Sequence, residues 1–142
     1  MTEYLQTPVP APVRPRLLTT LCILSYIGSS MGAFSYFMIF SAYSQFMPMI
    51  EEMGLAMPGM ELYLSAGRNF FLAGAVFYFL SLIGVALMWR LRKVGFHFYT
   101  ASQVMILIMP LFYIQGFPIP FLDGIITALF IFLYYRFYPF FV

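Results

Sequence analysis

The run LLTTLCILSYIGSSMGAFSYFMIF, Leu17 to Phe40, decides how the rest of the chain is read. It holds about two dozen residues without a single charge. As an α-helix it extends roughly 36 Å at ~1.5 Å per residue, enough to cross a hydrocarbon core of ~30 Å with some tilt. Arg14 and Arg16 stand just ahead of it. Within it Ser25, Gly28, Ser29, Gly32 and Ala33 form a small-residue seam with a Gly-x-x-x-Gly spacing. Such a seam lets a second helix approach closely in lipid.

Composition agrees with that reading. Hydrophobic residues make up 63% of the 142-residue chain and charged residues 8%, against roughly a quarter charged in a soluble domain. The class is therefore an integral membrane protein, one domain in length. Cys22 is the only cysteine and His97 the only histidine. No intrachain disulfide can form, and no His/Cys zinc site or bis-histidine haem can be built by this chain alone.

Outward from the first span, residues 1–16 form an arm with prolines at 8, 10, 12 and 15, which favour an extended polyproline conformation. The first span starts too late and runs too long to belong to a cleaved signal peptide. Three further apolar segments follow, so the expected spans are about 17–43, 66–89, 96–114 and 121–138. The helix of the second is expected to begin outside the lipid, near Met60. Pro48, Glu51 and Glu52 suit the first turn of a short helix that Gly54 could stop. Arg90 to Gly95 read as a tight basic turn, and Pro110 as a kink near the end of the third span.

The charges orient these spans. Arg14, Arg16, Arg90, Arg92, Lys93 and Arg136 fall on one side, with Arg68 alone among the basic residues on the other. The opposite side carries Glu51, Glu52, Glu61 and Asp123. Basic loops stay in the cytoplasm, so the expectation is an all-α, four-helix antiparallel membrane bundle with both termini cytoplasmic. Trp89, Tyr134, Tyr135 and Tyr138 mark the inner interface; Tyr43, Tyr63 and Tyr113 mark the outer one.

Several residues carry candidate interactions. Gly67, Gly74 and Ser81 repeat every seven residues, a spacing that keeps one helix face towards a neighbour. Ser25, Ser81, Gln103 and Thr127 all fall roughly 12 to 14 Å from the basic edge, near the bilayer middle. Gln103 is the most polar residue within the spans and needs a partner in this layer, because an unpaired amide in hydrocarbon costs a few kcal/mol. Met47, Met49, Met53, Met57 and Met60 crowd an outer loop of about 47–65, and their thioethers would suit Cu(I). Methionine is equally an adaptable apolar residue, and this chain also uses it freely in its spans. Asp123 stands where a carboxylate favours the start of the fourth helix. Arg68 could pair with Asp123 or Glu61.

The segments RPRLLTTLCILSYIGSSMG, WRLRKVGFHFYTASQ and LYYRFY are similar to those of small four-span bacterial membrane proteins of unassigned function. The resemblance implies a bacterial inner membrane and brings no catalytic residues. No nucleophile–base pair, phosphate-cradling loop or metal-ligand cluster stands out. The expected role is thus a non-catalytic accessory or stabilising subunit of a larger membrane complex. Its expected partners are lipid and other membrane subunits, with no cofactor and no nucleic acid. A small oligomeric channel or solute transporter is the second class, and Cu(I) handling through the methionines a third.

Overall fold

The structure, a computed structural model, describes residues 13–53 and 60–142, without the side chains of Glu51, Met53, Met60 and Glu61. In chain order its helices are α1 (Arg16–Ser41), α2 (Tyr43–Met53), α3 (Met60–Ser65), α4 (Arg68–Trp89), α5 (Lys93–Tyr113) and α6 (Phe121–Arg136). A 3-10 turn, Tyr138–Phe140, ends the chain, and no strand occurs among the described residues. Three of these helices, α1, α4 and α5, are long and apolar enough to cross a membrane. The fourth apolar segment, α6, is 16 residues long, with Asp123 in its first turn and Arg136 in its last.

α4 occupies the middle. On its α1 side Ser81, Tyr78 and Gly74 meet Ser29, Gly32 and Tyr36 in turn. On its α5 side Ser81, Gly84 and Met88 meet Gln103, Tyr99 and Gly95. Residue numbers rise on α4 as they fall on either neighbour, so both neighbours run opposite to it.

The tightest approach is between backbones. A Cβ built on Gly84 would lie 2.6 Å from the Tyr99 nitrogen and 2.9 Å from its Cα. One built on Gly95 would lie 2.6 Å from both the Gly84 oxygen and the Met88 nitrogen. Main-chain atoms cannot rotate away as a side-chain tip can. Gly32 and Gly74 play a different part: each receives an aromatic ring, Tyr78 at Gly32 and Tyr36 at Gly74. Gly28 has no atom near the place a side chain would occupy.

Several boundaries differ from the sequence expectation. Gly67 is not on the seven-residue seam, because at φ 87° it breaks the chain between α3 and α4. A left-handed residue ends one helix direction and starts another, so the seam on α4 begins at Gly74. The basic turn is shorter than expected. Leu91, at φ 58°, closes it, and Lys93 to Gly95 already belong to α5, where Gly95 is held against α4. α1 ends at Ser41, and α2 begins two residues later rather than at Pro48, which lies inside it. α2 ends at Met53, the last residue described there; Gly54, the expected stop, and Met57 lie outside the described residues. Pro110 lies inside α5, which ends three residues on at Tyr113.

The end of the bundle that carries Arg14, Arg90, Arg92 and Lys93 is tied by its own backbone. The Val142 N–H donates to the Leu91 carbonyl at 2.6 Å, and the Lys93 N–H donates to the Val142 carbonyl at 3.2 Å. The Arg14 guanidinium lies 4.2 Å from the Trp89 ring centre and donates to the Trp89 carbonyl. The rest of the Pro-rich arm, residues 1–12, lies outside the described residues. A buried cluster that includes Leu18, Cys22, Val85, Met88, Tyr134 and Phe141 fills this end, and a second around Leu64, Phe70, Phe71 and Met109 fills the other. α6 joins the first cluster through Tyr134, while Phe121, Leu122 and Ile125 near its start are exposed.

Glycine substitutions separate the two kinds of contact. Gly84→Ala is expected to lose about 1–3 kcal/mol of stability, because neither backbone can yield. Gly28→Ala is expected to stay within about 0.5 kcal/mol. Reversible unfolding by sodium dodecyl sulfate in mixed micelles measures both.

Candidate functional site: a polar cavity beside the Ser81 hydroxyl

In lipid a hydroxyl or amide must find its hydrogen bonds within the protein. The Ser81 side chain, fully buried on α4, meets that demand from both sides. Its hydroxyl pairs with the Ser29 hydroxyl of α1 at 2.9 Å and accepts from the Gln103 amide nitrogen of α5 at 3.0 Å. One oxygen thus links the three long helices. A second node lies nearer the basic end, where the Ser25 hydroxyl contacts Tyr134 at 2.8 Å and donates to Tyr99 at 3.4 Å. The four residues placed in one layer by counting therefore divide: Ser81 and Gln103 bond to each other, Ser25 belongs with the tyrosines, and Thr127 bonds to none of the other three. Counting along a helix gives height but not the side on which a residue faces.

Past Gln103 the helices part. A partly enclosed cavity of about 230 Å³ opens there, lined on its polar side by Tyr36, Tyr63, Tyr78, Gln103, Thr127 and Asp123. Ile106, Leu107 and Pro110 of α5 close its apolar wall, and Phe117 and Pro120 its rim. Asp123 and Thr127 are four apart on α6 and so lie one above the other on the same helix face. Asp123 is exposed at the first turn, and Thr127 is half-buried one turn further in.

The tyrosines are positioned by packing. Tyr36 and Tyr78 sit in the hollows at Gly74 and Gly32, with ring centres 5.2 Å apart and planes at 49°. Tyr63, from α3, packs edge-on against Phe117 at 5.4 Å. Burial, and after it the negative charge of Asp123, raise the Tyr63 phenol above its ordinary pKa. Away from the cavity, Tyr43 donates to the Leu64 carbonyl at 2.9 Å and Tyr138 meets His97 at 3.5 Å, while the hydroxyls of Tyr26, Tyr113 and Tyr135 have no hydrogen-bond partner among the described residues. Those of Tyr36, Tyr63 and Tyr78 likewise have no hydrogen-bond partner among the described residues.

The remaining candidates lie apart from this cavity. Arg68 donates from Nε to the Phe40 carbonyl at 3.2 Å and places its guanidinium 4.5 Å from the Phe40 ring centre, so its described contacts are with Phe40 rather than an acid. Met47 packs into the second cluster and Met49 is exposed, so these two face apart on α2. Met57 lies outside the described residues, as do the side chains of Met53 and Met60. Among the described residues no group of three or more His, Cys, Asp or Glu could hold a metal ion.

Sequence reading passes over Tyr36 and Tyr78. A signal exists: each puts a phenol hydroxyl inside a hydrophobic helix, and such a hydroxyl needs a partner or water.

The Ser81 node has an energetic signature. Gln103→Leu is expected to cost about 1 kcal/mol, and a double-mutant cycle with Ser81→Ala to show a coupling of about 0.6 kcal/mol. Additive single effects in the same micelle unfolding assay would contradict the bond.

No protein-family model, curated protein or solved structure matches the chain. The functional reading rests on the cavity and its walls.

Proposed function

We propose that the chain is a four-span, non-catalytic membrane protein that holds a small polar solute in its cavity, as a small channel or solute carrier does. The observation that carries this reading is the cavity itself. Two phenols from the long helices, an amide and a hydroxyl face a space inside a lipid-embedded bundle. Facing hydrocarbon, each unpaired polar group would cost a few kcal/mol. Filled by water or a polar solute, the same groups are satisfied. A volume of about 230 Å³ has room for roughly seven waters at ~30 Å³ each. It lies below the 300–1,000 Å³ typical of drug-sized pockets, which fits a small solute.

α6 is taken as the fourth span. Its 16 residues extend about 24 Å, and the aromatic residues at both of its ends suit the interfaces. The bundle is then antiparallel, with the basic turn, Arg14 and Arg136 on the cytoplasmic side, both termini inside and Asp123 outside. The resemblance to small four-span proteins supports a bacterial inner membrane.

A second reading, an accessory subunit of a larger membrane complex, draws on Gly28. Its notch on the exposed face of α1 is open, where Gly32 one turn on is filled by a ring. Native mass analysis after mild extraction tests it: co-extraction of a stoichiometric membrane partner supports the subunit, and a lone monomer that keeps its fold opposes it.

Water access tests the cavity. A membrane-impermeant, water-soluble maleimide is expected to label Thr127→Cys in sealed cells and to leave Leu129→Cys, on the exposed apolar face of α6, unreacted. Cys22 is fully buried and serves as the internal non-reacting thiol. Equal reactivity at the two positions would contradict a water-filled cavity.

A further inference from the structure

We infer that the cavity is a site for a small organic ammonium ion, with Asp123 as its counter-charge and Tyr36, Tyr63 and Tyr78 as its aromatic walls. This rests on the solute-binding reading above and names the chemistry of the solute.

Charge is the first argument. Among the described residues Asp123 is the only formally charged one that lines the cavity, and no described Lys or Arg lines it. Arg68, the one described cation towards that end, is engaged by the Phe40 ring and carbonyl. A cationic ligand meets a carboxylate at the mouth, whereas an anion would meet it as a like charge.

The second argument is the balance of donors and acceptors. Gln103 donates one amide N–H to Ser81, which leaves its carbonyl oxygen, with two lone pairs, and one N–H without a described partner. Asp123 only accepts, and the phenol and Thr127 hydroxyls can accept as well. A ligand rich in N–H donors complements that set.

The walls decide which kind of cation. Hard ions such as calcium are held by oxygen ligands that include several carboxylates, and among the described residues this cavity supplies one carboxylate. An alkylammonium ion carries its N–H donors at one end and an apolar body at the other, and its charge is attracted to ring faces within about 6 Å. Tyr36 and Tyr78, tilted at 49° with centres 5.2 Å apart, make a corner rather than a stack. Tyr63 bounds the cavity from α3, so three separate helices contribute aromatic surface.

The test uses the full chain in maltoside micelles, free of ammonium-bearing lipid. The probes are tert-butylammonium and its neutral counterpart of equal shape, tert-butanol, read by saturation-transfer NMR. The expected result is saturable binding of tert-butylammonium and at least about tenfold weaker binding of tert-butanol. Asp123→Asn should weaken the ammonium ion by about the same factor while leaving tert-butanol unchanged. Thr127→Leu fills the deeper end without altering charge and should abolish both; it serves if Asp123→Asn fails to fold.

Equal binding of the two probes, or an Asp123→Asn variant that binds the ammonium ion normally, overturns the inference while leaving a neutral-solute cavity intact. Absence of both probes with Thr127→Cys still labelled also overturns it. Absence of both with Thr127→Cys unlabelled removes the cavity reading as well. Preferential retention of phosphatidylethanolamine over phosphatidylglycerol, lost in Asp123→Asn, would support the same ammonium chemistry supplied by a lipid headgroup; competition by tert-butylammonium without such retention assigns it to a free amine.

Discussion

A hydroxyl in hydrocarbon has nowhere to turn but to the protein, and the Ser81 hydroxyl turns to both neighbours at once. It takes the Gln103 amide from α5 and pairs with Ser29 from α1. Hydrophobic burial gives little reason for one membrane helix to prefer another, because lipid tails are as apolar as leucine side chains. Close packing and internal hydrogen bonds must do that work. Ser81 supplies the bond, and three residues on, Gly84 supplies the close packing against Gly95 and Tyr99. Together they fix the register of α5 on α4, and Ser29 extends it to α1. The cavity is a consequence of this register, since Gln103 both bonds to Ser81 and faces the open space.

The glycines explain how aromatic bulk and tight helices coexist. Where backbone meets backbone, at Gly84 and Gly95, the absence of a side chain lets α4 and α5 touch. Where Gly32 and Gly74 stand, the absence of a side chain instead makes room for a ring. α1 and α4 therefore exchange tyrosines: Tyr36 of α1 lies in the hollow of α4, and Tyr78 of α4 lies in the hollow of α1. Both rings end at the cavity wall. Replacing either hollow would move a wall of the candidate site as well as a packing contact. Helix packing and the shape of the cavity are coupled through the same two glycines.

Much of the architecture is legible in the apolar runs and the charges between them. Length and hydropathy report directly on the lipid, so α1, α4 and α5 stand out as spans from the amino-acid order alone. The boundaries are less legible for a local reason. Gly67 looks like one more small residue in a heptad, and only its left-handed backbone separates it from Gly74. Gly95 looks like part of a turn because it follows close on three basic residues, yet its role is a contact with a distant Gly84. The candidate site is half legible. Gln103 stands out because an amide in a span is costly. Tyr36 and Tyr78 do not, since tyrosine also marks interfaces and cores, and which side of a helix faces a gap depends on how several helices splay.

The most direct measurement is a magic-angle-spinning NMR experiment on the full chain in a lipid bilayer, correlating the Gln103 side-chain nitrogen with the Ser81 side chain. The account predicts a short-range cross peak between them, because the amide nitrogen lies 3.0 Å from the Ser81 oxygen. A Gln103 amide that shows no contact with Ser81 and correlates instead with lipid acyl protons would contradict the register of the three long helices, and the cavity with it.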